Sequence, residues 1–435
     1  MKIGIIGAGA TGLVAGYELA KQGHAVTLFE ASPCPGGLAS AFPVGGNELE
    51  QFYHHIFTSD SHLLELIEEL GLAERLHWYS PRNGIYLNQR LYPFTSPKDL
   101  LLFRELSLRD RIAMGLLVFR AKFVKDWKKL ETISARDWIT QKTSPEVYRK
   151  VWGPLLHAKF DSDAEAISAV WIWNKFKLRG SSRGKGGTRE QLGYLEGSFG
   201  LVYARLAERI QALGGVIRLE TPVQSLRSLD SGAIEIVTAA SPSISNSIFD
   251  KVIVTCAPEA LLRVFPEAPP ALVSSLNKRH YKANLCAVLE LDERLSDYYW
   301  ITVAQEHAPF TLALEHTNLV GSAAYGGTHI VYLSRYLDPE NPLFTAPDAQ
   351  VQESFLAHLK ILFPHWDSNH LKRFHLHRAR YAQPVVGFEY SKHIPAMQSP
   401  VPNLFLATMA QIYPEDRGQT YAVRLGKQVA AHVQK

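Results

Sequence analysis

Cysteine is scarce. The 435 residues hold three, Cys34, Cys256 and Cys286, with no C-x-x-C spacing. An odd and scattered set argues against a disulfide framework or a structural zinc site, and suits a reducing compartment. Long apolar runs are missing as well. No stretch approaches the ~18 clean apolar residues of a membrane-spanning helix. The apolar start Met1–Ile6 is broken by Gly7 and Gly9 and offers no small-residue cleavage site, so no secretion signal is expected. A cytoplasmic protein follows, at most peripheral to a membrane. The net charge of +4 is spread thinly with no long basic tract, so nucleic acid is not an expected partner. There is no internal repeat. What remains is a globular balance, 46% hydrophobic and 20% charged, in a chain long enough to expect two domains.

Lys2–Ile6 reads as a short apolar strand of a buried parallel sheet. It runs into Gly7-Ala8-Gly9-Ala10-Thr11-Gly12 and then into a helical pattern of Leu13, Val14, Tyr17, Leu19 and Ala20. Gly7 allows a tight turn, Gly9 lets backbone approach a pyrophosphate, and Gly12 lets the helix pack close to the strand. Free amides at the helix start would hold the phosphates. Ala25–Phe29 reads as the second strand. Glu30 ends it, about 20 residues after the loop, where a carboxylate accepts hydrogen bonds from ribose hydroxyls. Strand, loop, helix, strand and acid in this order predict a dinucleotide-binding Rossmann unit.

Beyond Glu30 come Ala31-Ser32-Pro33-Cys34-Pro35-Gly36-Gly37-Leu38-Ala39-Ser40. Here the chain resembles the flavin amine oxidase superfamily, which includes monoamine oxidases, protoporphyrinogen oxidase, phytoene desaturases and, more distantly, UDP-galactopyranose mutase. The second glycine pair lies where an elongated FAD would pass the backbone. Family members carry arginine directly after that pair; Leu38 stands there in this chain. The resemblance extends to Thr221-Pro222-Val223, where Val223 would contact adenine through its backbone. It extends also to Lys251–Pro258, a buried strand ending in an alanine-proline turn at Ala257. Near the C-terminus, Asn403–Thr408 reads as a strand followed by Gly418–Gly426. The resemblance implies that Gly418 begins a helix whose N-terminus faces the pyrimidine end of the isoalloxazine, with Met409, Gly418, Thr420, Tyr421 and Ala422 at the cofactor. Ala407-Thr408 replaces the family's Gly-Asp, so backbone amides would rebuild that phosphate contact.

The fold implied is α/β: a two-dinucleotide-binding, FAD-binding Rossmann-type domain with an inserted α+β substrate domain. The FAD-binding domain would comprise about 1–80, 195–280 and 370–435, and the substrate-binding domain about 81–194 and 281–369. In the second insert, Ala283–Leu291, Trp300–Ala304, Phe310–Glu315 and Ile330–Leu333 read as strands of an antiparallel sheet roofing the flavin. The run Ser241–Ser247 reads as a hairpin or loop tip without function. The first insert reads as mainly helical and carries Trp127, Trp138, Trp152, Trp171 and Trp173. Helix-packing cores are the expected use of these rings, and a wall of an apolar cavity the alternative. Residues 109–129 alternate apolar and basic residues, which suits a solvated helix face or a peripheral contact with an anionic membrane.

Hydride transfer asks for positioning and water exclusion more than for acid–base groups. His54 and His55, in the stretch Glu50–Phe57, read as lying on a strand passing the isoalloxazine, so that one imidazole, with His55 favoured, faces the cofactor. Lys159 would hold an anionic substrate group or a water, or lie on the surface. Arg417 would support a reduced anionic flavin, or pair with Glu415 or Asp416. The spacing of His375 and His377 suits a metal, yet no further ligands accompany them, so no metal is expected. The resemblance implies an oxidoreductase with non-covalent FAD that dehydrogenates or saturates a C–N or C–C bond of an apolar or amphipathic small molecule; the electron acceptor stays open. Alternatives are a reduced-flavin sugar-nucleotide mutase, suggested by His54-His55-Ile56-Phe57, and a non-enzymatic escort protein on the same fold.

Overall fold

Ile3 and Ile5 point one way from the first strand, Gly4 and Ile6 the other, and this alternation organises two layers. The computed structural model describes residues 1–181, 190–240, 243–277, 280–305 and 307–435. Its central sheet has five strands in the order Val216–Arg218, Ala25–Phe29, Lys2–Ile6, Lys251–Val254, Leu404–Leu406, every pair parallel. Ile3, Ile5, Val26 and Leu28 pack on one face against helices Ala10–Ala20, Gly200–Ala212 and Gln419–Val433. Ile6 and Phe29 pack on the other against an antiparallel sheet of Val223–Ser228, Ile234–Ala240 and Ser243–Phe249, which supplies Leu226, Ile236 and Phe249. Both faces are thus covered, as a parallel sheet requires. Of the Ser241–Ser247 run, residues 241 and 242 lie outside the described residues, and the rest begins the last strand of that sheet.

The second sheet has seven strands: Leu371–Pro384, Tyr281–Leu291, His329–Leu337, Leu312–Glu315, Trp300–Val303, Asn83–Leu87 and Arg90–Pro93, in that spatial order. The four strands expected from the second insert are all present. The sheet is not purely antiparallel, because Trp300–Val303 runs parallel to Asn83–Leu87. Asn83–Leu87 belongs to a hairpin from the first insert, which its sequence predicts to be mainly helical. Along Tyr281–Leu291 the faces alternate. Leu285, Ala287 and Leu289 pack under helix Asp348–Leu362, whereas Cys286 and Val288 face the core shared with the parallel sheet.

Helices Leu108–Ala121, Ala135–Lys142, Gly153–Phe160 and Ala169–Ser181 make the remaining wall. Trp138 and Trp173 fill its core, and the Trp173 indole N–H donates to the Ala121 carbonyl at 2.8 Å. The basic stretch is not one helix: it ends at Ala121 and resumes as a short turn, Trp127–Leu130. No helix among the described residues is long and apolar enough to cross a membrane. His375 bonds Glu290 at 2.8 Å, and among the described residues no three metal-ligating side chains converge.

Candidate functional site

A cavity of about 690 Å³ opens above the C-terminal ends of the parallel strands and runs under the seven-stranded sheet. In open parallel sheets this is where ligands sit. Its outer end is built from the glycine loop. Gly7 turns at φ +103°, and a Cβ on Gly12 would stand 2.0 Å from the Gly7 carbonyl oxygen, so no larger residue fits there. Gly9 caps the Ala10–Ala20 helix without any side-chain cap, leaving first-turn N–H groups free of the helix's own carbonyls. Gly7, Gly9, Ala10 and Thr11 line the cavity. Ala8 and Gly12 stand behind the wall, both buried.

Glu30 also lines the cavity. One of its carboxylate oxygens accepts the Ala8 N–H at 2.7 Å; the other accepts the Ser32 amide at 2.9 Å and its hydroxyl at 2.8 Å. The second glycine pair crosses directly over the first. Gly36 N–H donates to the Ala8 carbonyl at 2.8 Å, Gly36 pairs with Gly9 as a parallel bridge, and both Gly36 and Gly37 have positive φ. Ala31, Gly36, Gly37, Leu38 and Ala39 carry the lining onward, with Val223 and Ala257 on the facing wall. The outcome is a trough floored by the backbone of both glycine pairs, with the Glu30 carboxylate at its outer end.

The inner end is walled by the C-terminal helix. Gly418 is its uncapped N-terminus, and Met409, Gly418, Tyr421 and Ala422 face the cavity. Thr420 points away; its hydroxyl accepts the Leu63 amide at 3.3 Å. His54 and His55 both border the cavity, contrary to the expectation of one. The reason is local: residues 53–55 are irregular, and the strand begins only at Ile56. His54 Nδ1–H donates to the Phe52 carbonyl at 2.6 Å, and burial, with Arg417 and Lys159 near, pushes its pKa down to about 4. His54 is therefore neutral with Nε2 unprotonated. His55 Nδ1 is hydrogen-bonded to the Tyr299 hydroxyl at 3.0 Å.

Lys159 is no surface lysine. It lines the cavity with its ammonium 4.2 Å from the Tyr336 ring centroid, and burial lowers its pKa. Arg417 pairs with neither neighbouring acid. Glu415 holds Arg424 with both oxygens at 3.0 Å, and Asp416 holds Lys175 at 2.7 Å. Arg417 donates to the Tyr336 hydroxyl at 2.5 Å and to Gln383 at 3.0 Å. Although burial opposes it, Lys175, Lys159 and Arg417 hold the Asp416 carboxyl well below the carboxylate range. Tyr336 is likewise lowered, burial being outweighed by Arg417 and Lys159.

Sequence reasoning missed Tyr53, Lys175, Asn284, Ser334 and Tyr336, all of which line the cavity. A signal existed for two of them: Asn284 and Ser334 are polar residues inside apolar strands, and they bond each other across the sheet at 2.9 Å. Of the tryptophans, Trp152, Trp171 and Trp300 border the cavity, the last being outside the first insert.

The trough fits an elongated dinucleotide: free amides at two helix N-termini, a backbone floor for a diphosphate, and a carboxylate at the outer end. Residues 10–434 match the family described as flavin containing amine oxidoreductase. Among curated proteins, zeta-carotene desaturase of Synechocystis sp. is 29% identical over 201 residues, 41% of either chain. The matched stretches span 34% to 61% of such relatives' length. Among solved structures, an oxidoreductase of Methanosarcina mazei superimposes with TM-score 0.74 at 20% identity, covering 100% of both chains. Cyclohexylamine oxidase of Brevibacterium oxydans does so at 0.72 and 17%, covering 99% of this chain and 98% of the oxidase. The chain belongs to the flavin-containing amine oxidoreductase family, and its cofactor is FAD.

Proposed function

We propose that this flavin-containing amine oxidoreductase family member dehydrogenates, or in reverse saturates, a C–N or C–C bond of an apolar or amphipathic small molecule, with FAD held non-covalently. The observation that carries this is the composition of the wall beyond the trough. Trp152, Leu155, Trp171, Phe176, Trp300 and Leu312 line the cavity outside the glycine loop, alongside the polar Lys159, Lys175, Asn284, Ser334 and Tyr336. Bound FAD supplies a two-electron acceptor. The protein's part is to orient the reacting carbon and exclude water, for which aromatic walls serve well. In this reading His54, whose Nδ1 is tied to Phe52, and His55, steadied by Tyr299, would take or give a proton.

The test is anaerobic mixing of the yellow protein with candidate amines, unsaturated lipids and their saturated counterparts, following bleaching of the flavin band. Bleaching by an apolar or amphipathic compound supports the reading. Selective bleaching by small, fully polar substrates overturns it.

The same reading includes docking on an anionic bilayer. Seven of the thirteen exposed large hydrophobics among the described residues cluster in one segment: Leu101, Leu102, Leu108, Ile112, Leu116, Phe119 and Phe123, from 44% exposed at Leu116 to 66% at Phe123. Exposed Arg104, Arg109, Lys122, Lys125, Lys128 and Lys129 surround them. An apolar stripe rimmed by cations suits the headgroup region of such a bilayer. Helix Leu108–Ala121 packs on Ala169–Ser181, whose Trp171, Lys175 and Leu178 line the cavity, so one helix separates this surface from the site.

A further inference from the structure

We propose that Lys159 and Arg417 form an anion subsite at the inner end of the cavity, and that the substrate of the reaction proposed above carries a carboxylate bound there. The inference rests on that reading for the word substrate, but on its own geometry for the site.

Buried cations are ordinarily paired. Among the described residues neither Lys159 nor Arg417 has an acidic partner within ion-pairing distance, although both line the cavity. The acids nearest in sequence are taken: Glu415 by Arg424, and Asp416 by Lys175 and by the Gln383 amide at 3.0 Å. Asp60, a further carboxylate of the wall, accepts the Phe57 amide at 2.8 Å, and burial pushes its pKa up to about 6. The two cations instead converge on the Tyr336 phenol, whose pKa they lower against the effect of burial. Arg417 donates to the Tyr336 hydroxyl, the Lys159 ammonium stands over the same ring, and Arg417 uses only Nε and Nη2 in doing so. Its Nη1 remains for a ligand. With Lys175 taken by Asp416, neither Lys159 nor Arg417 has a carboxylate of its own as counter-charge.

Their placement favours substrate over cofactor. Lys159 projects from helix Gly153–Phe160 and Tyr336 from the roof strand His329–Leu337, neither of which belongs to the parallel sheet or its glycine loop. Trp152 and Leu155 of the same helical segment line the apolar compartment. A molecule with an apolar body and a carboxylate end would match both features at once.

The test titrates the flavin-loaded protein with benzoate and with its neutral isostere benzamide, reading flavin spectral perturbation and calorimetric heat. Benzoate should bind roughly tenfold or more tightly than benzamide. Lys159→Met should bring the two together, while Tyr336→Phe, which keeps both cations, should preserve the preference. Equal affinities in the unaltered protein overturn the proposal. So does a Lys159→Met protein whose flavin midpoint potential shifts while its benzoate preference is unchanged, for then the charges serve the cofactor. Should the purified chain hold no flavin, the proposed function fails, yet the calorimetric comparison still reads the subsite.

Discussion

Glu30 accepts the Ala8 main-chain N–H at 2.7 Å, tying the end of the second strand to the middle of the glycine loop. An acid in this place is usually assigned to ribose. Here it also braces the loop, since its other oxygen is held by Ser32. One carboxylate thus fixes the shape of the trough and stands in it.

Substitutions in the loop should separate binding from folding. A Cβ on Gly9 would meet only the Gly37 Cα, at 3.9 Å, so Gly9→Val fits the backbone and sends its methyl groups into the trough. That variant should fold normally and purify colourless, judged by the ratio of flavin to protein absorbance alongside circular dichroism. A Cβ on Gly12 strikes the Gly7 carbonyl, so Gly12→Ala should instead cost about 3 kcal/mol of stability, seen as a lowered melting temperature. A yellow Gly9→Val protein with its full complement of flavin would refute the placement of the diphosphate.

A pH dependence of stability should originate at Glu50. It is fully buried, accepts hydrogen bonds from Phe199 N–H and Tyr194 OH, and burial raises its pKa from 4.5 to about 7. The folded state holds this proton more tightly than the unfolded one. Its stabilising effect is complete below pH 4.5 and is lost as pH rises through 7, by about 3 kcal/mol. The buried histidines His54 and His316, lowered to about 4 and about 3, act in the opposite sense. Comparing unaltered protein with Glu50→Gln isolates the term: the variant should gain relative stability between pH 5 and 8 in denaturant titrations. Parallel profiles for the two proteins would show that Glu50 stays ionised.

The two imidazoles should differ in consequence. His55→Ala should stay yellow and turn over on the order of tenfold more slowly. Tyr299→Phe, which removes only the 3.0 Å hydroxyl partner of His55, should move the pH profile of flavin reduction more than its maximum rate. Unaltered profiles in both variants would remove His55 from the chemistry.

Vesicle binding should depend on the exposed aromatic pair. Phe119 and Phe123 lie edge to face at 5.3 Å and are 57% and 66% exposed. Changing either to Glu should lower partitioning onto anionic vesicles about tenfold, measured by co-sedimentation, while leaving flavin content intact. Equal sedimentation of all three proteins would exclude the bilayer as occupant.

How much of this was legible in the sequence follows the distance over which each feature is decided. The glycine loop, Glu30 and the second glycine pair are local demands on φ and on approach distance, and they are written in consecutive letters. The roof strands showed because their apolar runs are long. The hairpin Asn83–Pro93 did not, because its place in the sheet depends on Trp300–Val303, more than two hundred residues later. The same holds for Tyr336, and for its meeting with Lys159 and Arg417, which the sequence offers only as separate candidates. Each looks ordinary alone, and only long-range packing brings two cations onto one phenol. For His54 and His55 the error was of register: a strand beginning at Ile56 leaves the preceding residues free of alternation.

The central sheet places Lys2–Ile6 beside Lys251–Val254, and that in turn beside Leu404–Leu406. A growing polypeptide therefore presents its phosphate loop well before Gly418 to Ala422, which wall the inner end of the cavity. FAD capture must then wait until the wall supplied by Gly418 to Ala422 has joined the loop. Until that point the apolar face of Ile3, Ile5, Val26 and Leu28 lacks the helix Gln419–Val433, and the half-made chain is at its most aggregation-prone.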